Sequence, residues 1–321
     1  MSSVWPVVLL LCVAGCGGGD DAGGDGARAD GAPRADAAAT ADAGSGADAA
    51  AGSPDGAAGA VCADLVFASG GTVLDTLSED SLQDFPLAIT PDLATVLVQR
   101  SGAGCGSSWE VLVADAMSAD PDDYALGDAT ASLATAGLDV DSERTLTLLF
   151  NGLTVIGVTA DGLAFATATR SAPGQVDFTA GSSELFAALA ATAGQQLLDP
   201  VLSSDGLAFY YTLADADPGV AGVYESVRAS VSDPFPAATR MPAAVQDAGI
   251  VTGISSDRLV LFVEESFTAS ALTRESIDDP FVTPVTGLPG FRARPSGDCA
   301  VLVGTCTAAG CIGEDVCLYV H

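Results

Sequence analysis

Beyond residue 61 the chain is a succession of short apolar runs, each stopped after a few residues by Gly, Asp, Ser or Pro. Runs of five to seven residues that carry β-branched side chains between turn formers predict strands. They fall at 95–99, 109–114, 146–150, 154–158, 163–169, 207–212, 222–227, 259–264, 300–304 and 316–320. One segment conflicts with its neighbours. Residues 182–191 have helix-favouring composition behind a capping serine, yet the repeat set out next gives them the place of the strand at 222–227. Register is given precedence, so a strand is expected there.

The turns ahead of the strands repeat. Asp161-Gly162-Leu163-Ala164-Phe165 returns 44 residues later as Asp205-Gly206-Leu207-Ala208-Phe209. Related turns precede other strands at Thr90-Pro91-Asp92, Ser255-Ser256-Asp257 and Pro295-Ser296-Gly297-Asp298. A second landmark keeps step: Arg228-Ala229-Ser230 leading to Asp233-Pro234-Phe235 matches Arg274-Glu275-Ser276 leading to Asp279-Pro280-Phe281 at an offset of 46. Ser, Thr and Asp side chains accept from backbone N–H groups two residues on, and Gly supplies a positive φ, so each turn closes a hairpin. A period of roughly 40–45 residues is that of a four-stranded propeller blade. The predicted fold class is therefore all-β, a β-propeller of five or six blades spanning 61–321. The sixth would be an irregular blade around residues 141–145, and residues 65–75 would lend a strand to the last blade.

The turn-and-strand pattern resembles the TolB-type, WD-repeat-like β-propellers, whose repeats read roughly as Ser-Pro-Asp-Gly followed by an apolar strand. The resemblance covers about residues 62–321, with the proline of that pattern kept only at Pro91 and Pro295. TolB also carries a separate α/β domain that this chain lacks, which speaks against a role in the Tol system.

The first 60 residues are different. Val4 to Val13 form an apolar run about half the length needed to span a bilayer, the h-region of a secretory signal. Val13-Ala14-Gly15-Cys16 follows at once and resembles the lipobox of bacterial lipoproteins, although Met1-Ser2-Ser3 brings no basic residue ahead of it. The resemblance implies removal of residues 1–15 and a lipidated Cys16 (palmitate among the acyl chains). From residue 17 to 60 the chain is nearly all Ala, Gly and Asp and holds no larger apolar side chain besides proline, so it cannot offset its own ordering entropy. Residues 16–60 read as a disordered tether with a reach of about 35–40 Å.

Six cysteines follow the tether: Cys62, Cys105, Cys299, Cys306, Cys311 and Cys317. An even number in an exported chain implies disulfides. The expected pairs are Cys62–Cys105, Cys306–Cys311 and Cys299–Cys317; the spacings do not suit a zinc site.

Composition then narrows the chemistry. Forty-two acidic residues oppose 11 basic ones, a formal charge of −31, which repels nucleic acid and anionic lipid. His321 is the only histidine and there is no lysine, so histidine-based triads and Schiff bases have no candidates. No phosphate loop, cofactor motif or metal site emerges; the carboxylates of Asp139, Asp141 and Glu143 and of Asp215 and Asp217 read as surface turns, and Arg292 with Arg294 as a solvated pair. The expectation is a monomeric, lipid-anchored module on the periplasmic or outer-membrane face of a Gram-negative cell. It would not be an enzyme; it would bind or scaffold a protein or glycan at a propeller face. The alternative is a surface carbohydrate hydrolase working through paired carboxylates.

Overall fold

The structure, a computed structural model, describes residues 62, 65, 67, 71–78, 82–101, 109–120, 122–142, 144–266, 268–296, 299–306 and 315–320. They form five four-stranded antiparallel blades. Strand β1 (Thr72–Val73) comes first but belongs to the last blade. Blade one is β2 (Gln83–Ile89), β3 (Thr95–Ser101), β4 (Trp109–Ala116) and β5 (Tyr124–Asp128). Helix α1 (Thr130–Thr135) leads to blade two: β6 (Leu146–Leu148), β7 (Thr154–Val158), β8 (Phe165–Thr169) and β9 (Thr179–Ala180). Blade three is β10 (Gln196–Leu202), β11 (Ala208–Ala214), β12 (Gly222–Val227) and β13 (Thr239–Arg240). After α2 (Ala243–Ala248), blade four holds β14 (Ile250–Ile254), β15 (Val260–Glu265), β16 (Thr268–Thr273) and β17 (Thr283–Thr286). Blade five is β18 (Phe291–Pro295), β19 (Val301–Cys306), β20 (Asp315–Val320) and, at its outer edge, β1. The first strands of the blades pack against one another in sequence, and β18 meets β2 to close the circle.

The core is five separate layers, one per interface between blades. Leu97 and Val113 of blade one meet Leu146 and Val155 of blade two; Val96 and Val98 meet Val303 and Val316 across the closing interface. No blade buries enough apolar surface to fold alone, so each depends on both neighbours.

The first hairpins of blades one, three and four are built the same way. In Ser203-Ser204-Asp205-Gly206, Asp205 Oδ1 accepts from Leu207 N at 3.0 Å, Ser203 Oγ accepts from Ala208 N at 2.8 Å, and Gly206 N donates to Ser203 O at 2.8 Å. Ser255 and Asp257 repeat these bonds in blade four, and Thr90 and Asp92 in blade one. The residue after the Asp sits at positive φ, as glycine does at Gly206 (70°), but Leu93 (61°), Arg258 (60°) and Cys299 (56°) occupy the same place. A side chain there costs about 1–2 kcal/mol. Asp298 lies outside the described residues.

Three expectations about the repeat need correction. Asp161-Gly162 does not occupy the position of Asp205-Gly206: it turns β7 into β8, the second hairpin of its blade, whereas Asp205-Gly206 turns β10 into β11. The same local bonds form in both, since Asp161 Oδ1 accepts from Leu163 N at 3.1 Å, and local chemistry does not record which hairpin it closes. The first hairpin of blade two uses Asn151-Gly152, with Asn151 Oδ1 accepting from Leu153 N at 2.9 Å. With that register gone, the strand expected at 182–191 goes too. Glu184–Leu189 is a 3₁₀ helix. It drives Phe186 and Leu189 between blades two and three, where Phe186 lies 5.1 Å from Phe209 and Phe165 lies 4.9 Å from Phe209. There is no blade around 141–145 either; the residues described there lead into β6, and α1 fills the extra length.

The second landmark marks equivalent sites. Arg228 and Arg274 follow the third strands of blades three and four, and each donates through Nε at 2.8 Å to the carbonyl of the positive-φ residue, Gly206 or Arg258. Their guanidinium groups lie over Phe235 (4.2 Å) and Phe281 (4.3 Å). Blade two has an unforeseen third copy: Arg170 Nε donates to Gly152 O at 3.0 Å, with Phe178 beside it. In blade one Tyr124 Oη does the same work, donating to Leu93 O at 2.9 Å. Arg170 also grips Asp115 of blade one, Nη1 to Oδ2 at 2.6 Å and Nη2 to Oδ1 at 2.5 Å. Burial alone pushes the Asp115 carboxyl up, but hydrogen bonds from Arg170, Gly174 N and Thr95 outweigh it and hold it below the usual aspartate range.

The cysteines pair differently from expectation. Cys62 is bonded to Cys299 and Cys306 to Cys317; Cys105 and Cys311 lie outside the described residues. The expected Cys299–Cys317 and Cys306–Cys311 rungs fail because β19 and β20 pair Gly304 with Cys317, which leaves Cys306 on the adjacent diagonal. The expected Cys62–Cys105 bond fails because Cys62 packs against the last blade and not the first. With β1 against β20, the Cys62–Cys299 bond fastens the start of the ring to its end.

Two measurements check this account. Replacing both Cys62 and Cys299 by Ser releases a closure of 237 residues and lowers stability in urea by about 2–5 kcal/mol. Arg170→Met strands the Asp115 carboxylate in a buried site and costs about 3–5 kcal/mol at pH 7, most of it recovered when Asp115→Leu is added. Because the folded-state pKa of Asp115 is lowered, the stability it supplies is present above about pH 4 and is lost as pH falls through the folded value.

Candidate functional site

In the first four blades the first and third hairpins lie at one end of the ring, and the second hairpins with the crossovers between blades lie at the other; the first hairpin of blade five lies at the same end as theirs. Each end has its own concavity. At the first-hairpin end the inner strands leave an axial cavity of about 60 Å³ whose walls come from all five blades, with Ala88, Thr147, Val201, Thr252 and Arg294 among them. At the crossover end an open groove of about 570 Å³ runs between blades two and three, edged by Asp139, Asp161, Asp215 and Gln195. Hydrogen bonds, from Thr159 to Asp161 and from Asp217 N to Asp215, hold these two exposed carboxyls below the usual range. Among the described residues no group of carboxylates is arranged to hold a metal ion.

Between the two ends the axis is charged. Four inner strands carry a β-bulge: pairing slips at Leu87 in β2, at Asp199-Pro200 in β10, at Thr252 in β14 and at Arg292-Ala293 in β18. A bulge re-aims the side chain it carries, and here three of the four present polar residues. Asp199 (φ 51°) and Arg292 (φ 53°) are in the left-handed region. Asp199 Oδ1 pairs with Arg144 Nε at 3.2 Å, and Asp199 N donates to Arg144 O at 2.8 Å. Thr252 Oγ1 donates to Ala293 O at 2.8 Å, tying blade four to blade five. Arg292 lies over the Phe85 ring at 3.8 Å, joining blade five to blade one, and its N–H donates to Glu264 Oε2 at 2.7 Å. Asp84 pairs with Arg100 at 2.6 Å. Burial pushes the Asp199 carboxyl up, against the pull of Arg144, and pulls the Arg294 guanidinium down to about 10, against Asp199 and Glu264.

The expectation that Arg292 and Arg294 form a solvated pair is therefore corrected: they are 7% and 8% exposed. The sequence placed them two residues apart on one side of an extended strand, and the bulge between Phe291 and Arg294 breaks that alternation. The turn residues Asp92, Asp161, Gly162, Asp205, Gly206 and Asp257 are dispersed around the ring and close hairpins; they converge on no site. Cys16 lies outside the described residues. Arg144, Asp199 and Thr252, which converge with Arg294, were passed over, because nothing local marks a residue that a bulge or a loop turns toward the axis.

No family model and no curated protein matches the chain. Several solved structures do. An α-L-arabinofuranosidase from Podospora anserina aligns at 12% identity over 76% of this chain and 91% of its own, with a TM-score of 0.44. The GH62 α-L-arabinofuranosidase catalytic domain of Coprinopsis cinerea aligns at 11% identity over 78% and 94%, with a TM-score of 0.47. TolB from Acinetobacter baumannii aligns at 12% identity over 76% of this chain and 55% of its own, with a TM-score of 0.38. The likeness is one of fold, and at this identity no residue role passes with it. It nonetheless corrects the expectation of a chain without catalysis. Glycoside hydrolases stand among the structures to which this chain is similar.

Proposed function

We propose that the protein is a cell-envelope binding module that receives a protein partner on the first-hairpin end of its ring. The supporting observation is where the exposed apolar side chains lie. Met117, Phe150, Val231 and Ile277, between 47% and 67% exposed, all sit in first or third hairpins, and so on the end that carries the axial cavity. Phe150 lines that cavity, and both Phe150 and Val231 come within 4.0 Å of a side-chain position at Gly206. Exposed apolar groups at the end that carries the cavity support an interaction surface there. Three of the four are aliphatic, which suits a protein better than a glycan.

In this reading residues 1–15 are a signal peptide, Cys16 is acylated, residues 16–60 are the tether, and the ring works as a monomer on the periplasmic or outer-membrane side. Two or three acyl chains are needed for durable anchoring. Among the described residues no helix is long and apolar enough to cross a membrane. Mass spectrometry of the membrane-extracted full chain is expected to find acyl chains on Cys16.

The test of docking is crosslinking of the full chain in envelope extract, with a glycan array alongside. Phe150→Ser combined with Val231→Ser is expected to reduce the crosslinked partner more than tenfold while moving the melting temperature by no more than about 2 °C. Retention of the partner, or a saturable glycan signal in its place, would overturn docking at this end.

Glycoside hydrolysis is the second reading, and what favours it is Asp199. This buried carboxyl is held above the usual aspartate range by burial, against the pull of Arg144 and Thr212, a property of a general acid. On this reading Asp199→Asn reduces release of reducing sugar from a polysaccharide panel at least 100-fold, with melting recorded in parallel. A wild-type chain that releases none removes it.

A further inference from the structure

At the first-hairpin end the five inner strands finish alike. Ile89, Leu148, Leu202, Ile254 and Pro295 are the last residues of β2, β6, β10, β14 and β18, one from each blade, and all five line the axial cavity. Together they form an apolar collar. Leu148 and Ile254 are buried, whereas Ile89, Leu202 and Pro295 are half-buried and keep accessible surface. Phe150, 49% exposed, lines the same cavity. Apolar surface left open to water is stabilised when an apolar group covers it.

The cavity has the size of one side chain. Its 60 Å³ has room for about four water-sized atoms, as many as the carbons of a leucine side chain. That is far under the roughly 300–1,000 Å³ of sites that enclose whole small-molecule ligands. Two of its polar walls are already engaged within the protein. Thr252 Oγ1 donates to Ala293 O, and Ser203 Oγ accepts from Ala208 N, both at 2.8 Å.

Charge selects what surrounds that side chain. The hairpins at this end expose Asp92, Asp123, Asp233, Asp278 and Asp279. The one exposed arginine among the described residues, Arg240, reaches the other way and donates to Ala221 O, in the second hairpin of blade three, at 2.9 Å. A second copy of a chain whose formal charge is −31 is repelled by such a rim, and so is an anionic lipid surface. A basic segment is drawn to it.

We propose that the axial mouth is a socket for one aliphatic side chain of the protein partner, carried in a segment with Lys or Arg on both sides of it. This rests on docking at the first-hairpin end and names the partner's chemistry there. Most of the binding energy of a protein interface is commonly carried by a few such anchors in central pockets.

The probes are dye-labelled Arg-Arg-Leu-Arg-Arg, Arg-Arg-Gly-Arg-Arg and Glu-Glu-Leu-Glu-Glu, titrated with the full chain and read by fluorescence polarisation. The leucine peptide is expected to bind about fivefold or more tighter than the glycine peptide, and the acidic peptide not to bind. Added sodium chloride weakens both basic peptides and preserves the ratio between them. Ser204, a half-buried turn residue, lines the cavity; Ser204→Trp fills the mouth and is expected to make the two basic peptides equal, with melting unchanged. The same variant is expected to lose the partner crosslinked in envelope extract. Equal affinity of the leucine and glycine peptides for the wild-type chain would overturn the socket. So would a partner kept by Ser204→Trp but lost by Phe150→Ser with Val231→Ser, a result that leaves docking at this end standing. A partner kept by both variants overturns docking and socket together. A dimer in sedimentation that Ser204→Trp dissociates would make the occupant a second copy and also overturn the proposal.

Discussion

A backbone carbonyl organises each of the first four blades. The first hairpin bends through a residue at positive φ, and that residue's oxygen is met by a side chain arriving from beyond the third strand or from the fourth: Arg170, Arg228 and Arg274 through Nε, Tyr124 through its hydroxyl. The contact fixes the distance between the first hairpin and the third, which sets the twist of the sheet between them. It also places an aromatic ring beneath the guanidinium, and Phe178, Phe235 and Phe281 then fill the interface with the preceding blade. Blade geometry and packing between blades are thus one interaction. Tyr124 shows that a neutral donor of the right reach suffices, so the charge serves another end. In Arg170 that end is visible, where the same guanidinium holds Asp115 across the interface.

Closing five such blades into a ring brings their first strands together. The antiparallel ladder would point alternate side chains at the axis, and bulges in four inner strands break that order. The result is a polar axis in which Asp199 pairs with Arg144 and Asp84 with Arg100, and Arg292 lies over the Phe85 ring of blade one. Breaking one partner of such a set leaves a buried charge, so the axis enforces one arrangement of blades more than it adds net stability. Cys62–Cys299 and the β1–β20 pairing act at the joint that no covalent chain crosses. They also bring residue 62, the first of the described chain, to the end of the ring where the axial cavity and exposed apolar residues lie.

These features separate rigidity from recognition. The axis and interfaces are fixed by buried bonds, while Met117, Phe150 and Val231 are carried on hairpins whose backbone is tied by Ser118, Asn151 and Ser230. A partner meeting that end would pay little ordering entropy, which is the advantage of presenting a surface on turns of this type.

The sequence by itself determined what short-range bonding can encode. Ser203 with Asp205 and Ser255 with Asp257 close hairpins because their own side chains reach the backbone two to five residues on. The number of such turns, with the Arg-to-Phe landmark, implied a radial all-β fold. Only the tertiary structure decided which hairpin each turn closes, since Asp161 and Asp205 make the same local bonds in different positions of the blade. It settled Glu184–Leu189 as helical, as the local composition favoured, against a repeat register that only the fold could show to be misplaced. It also decided which sulfurs meet and which arginines are buried. Cys62 meets Cys299 across 237 residues, and Arg294 reaches the axis through a bulge, because both depend on ring closure and not on neighbours in the chain.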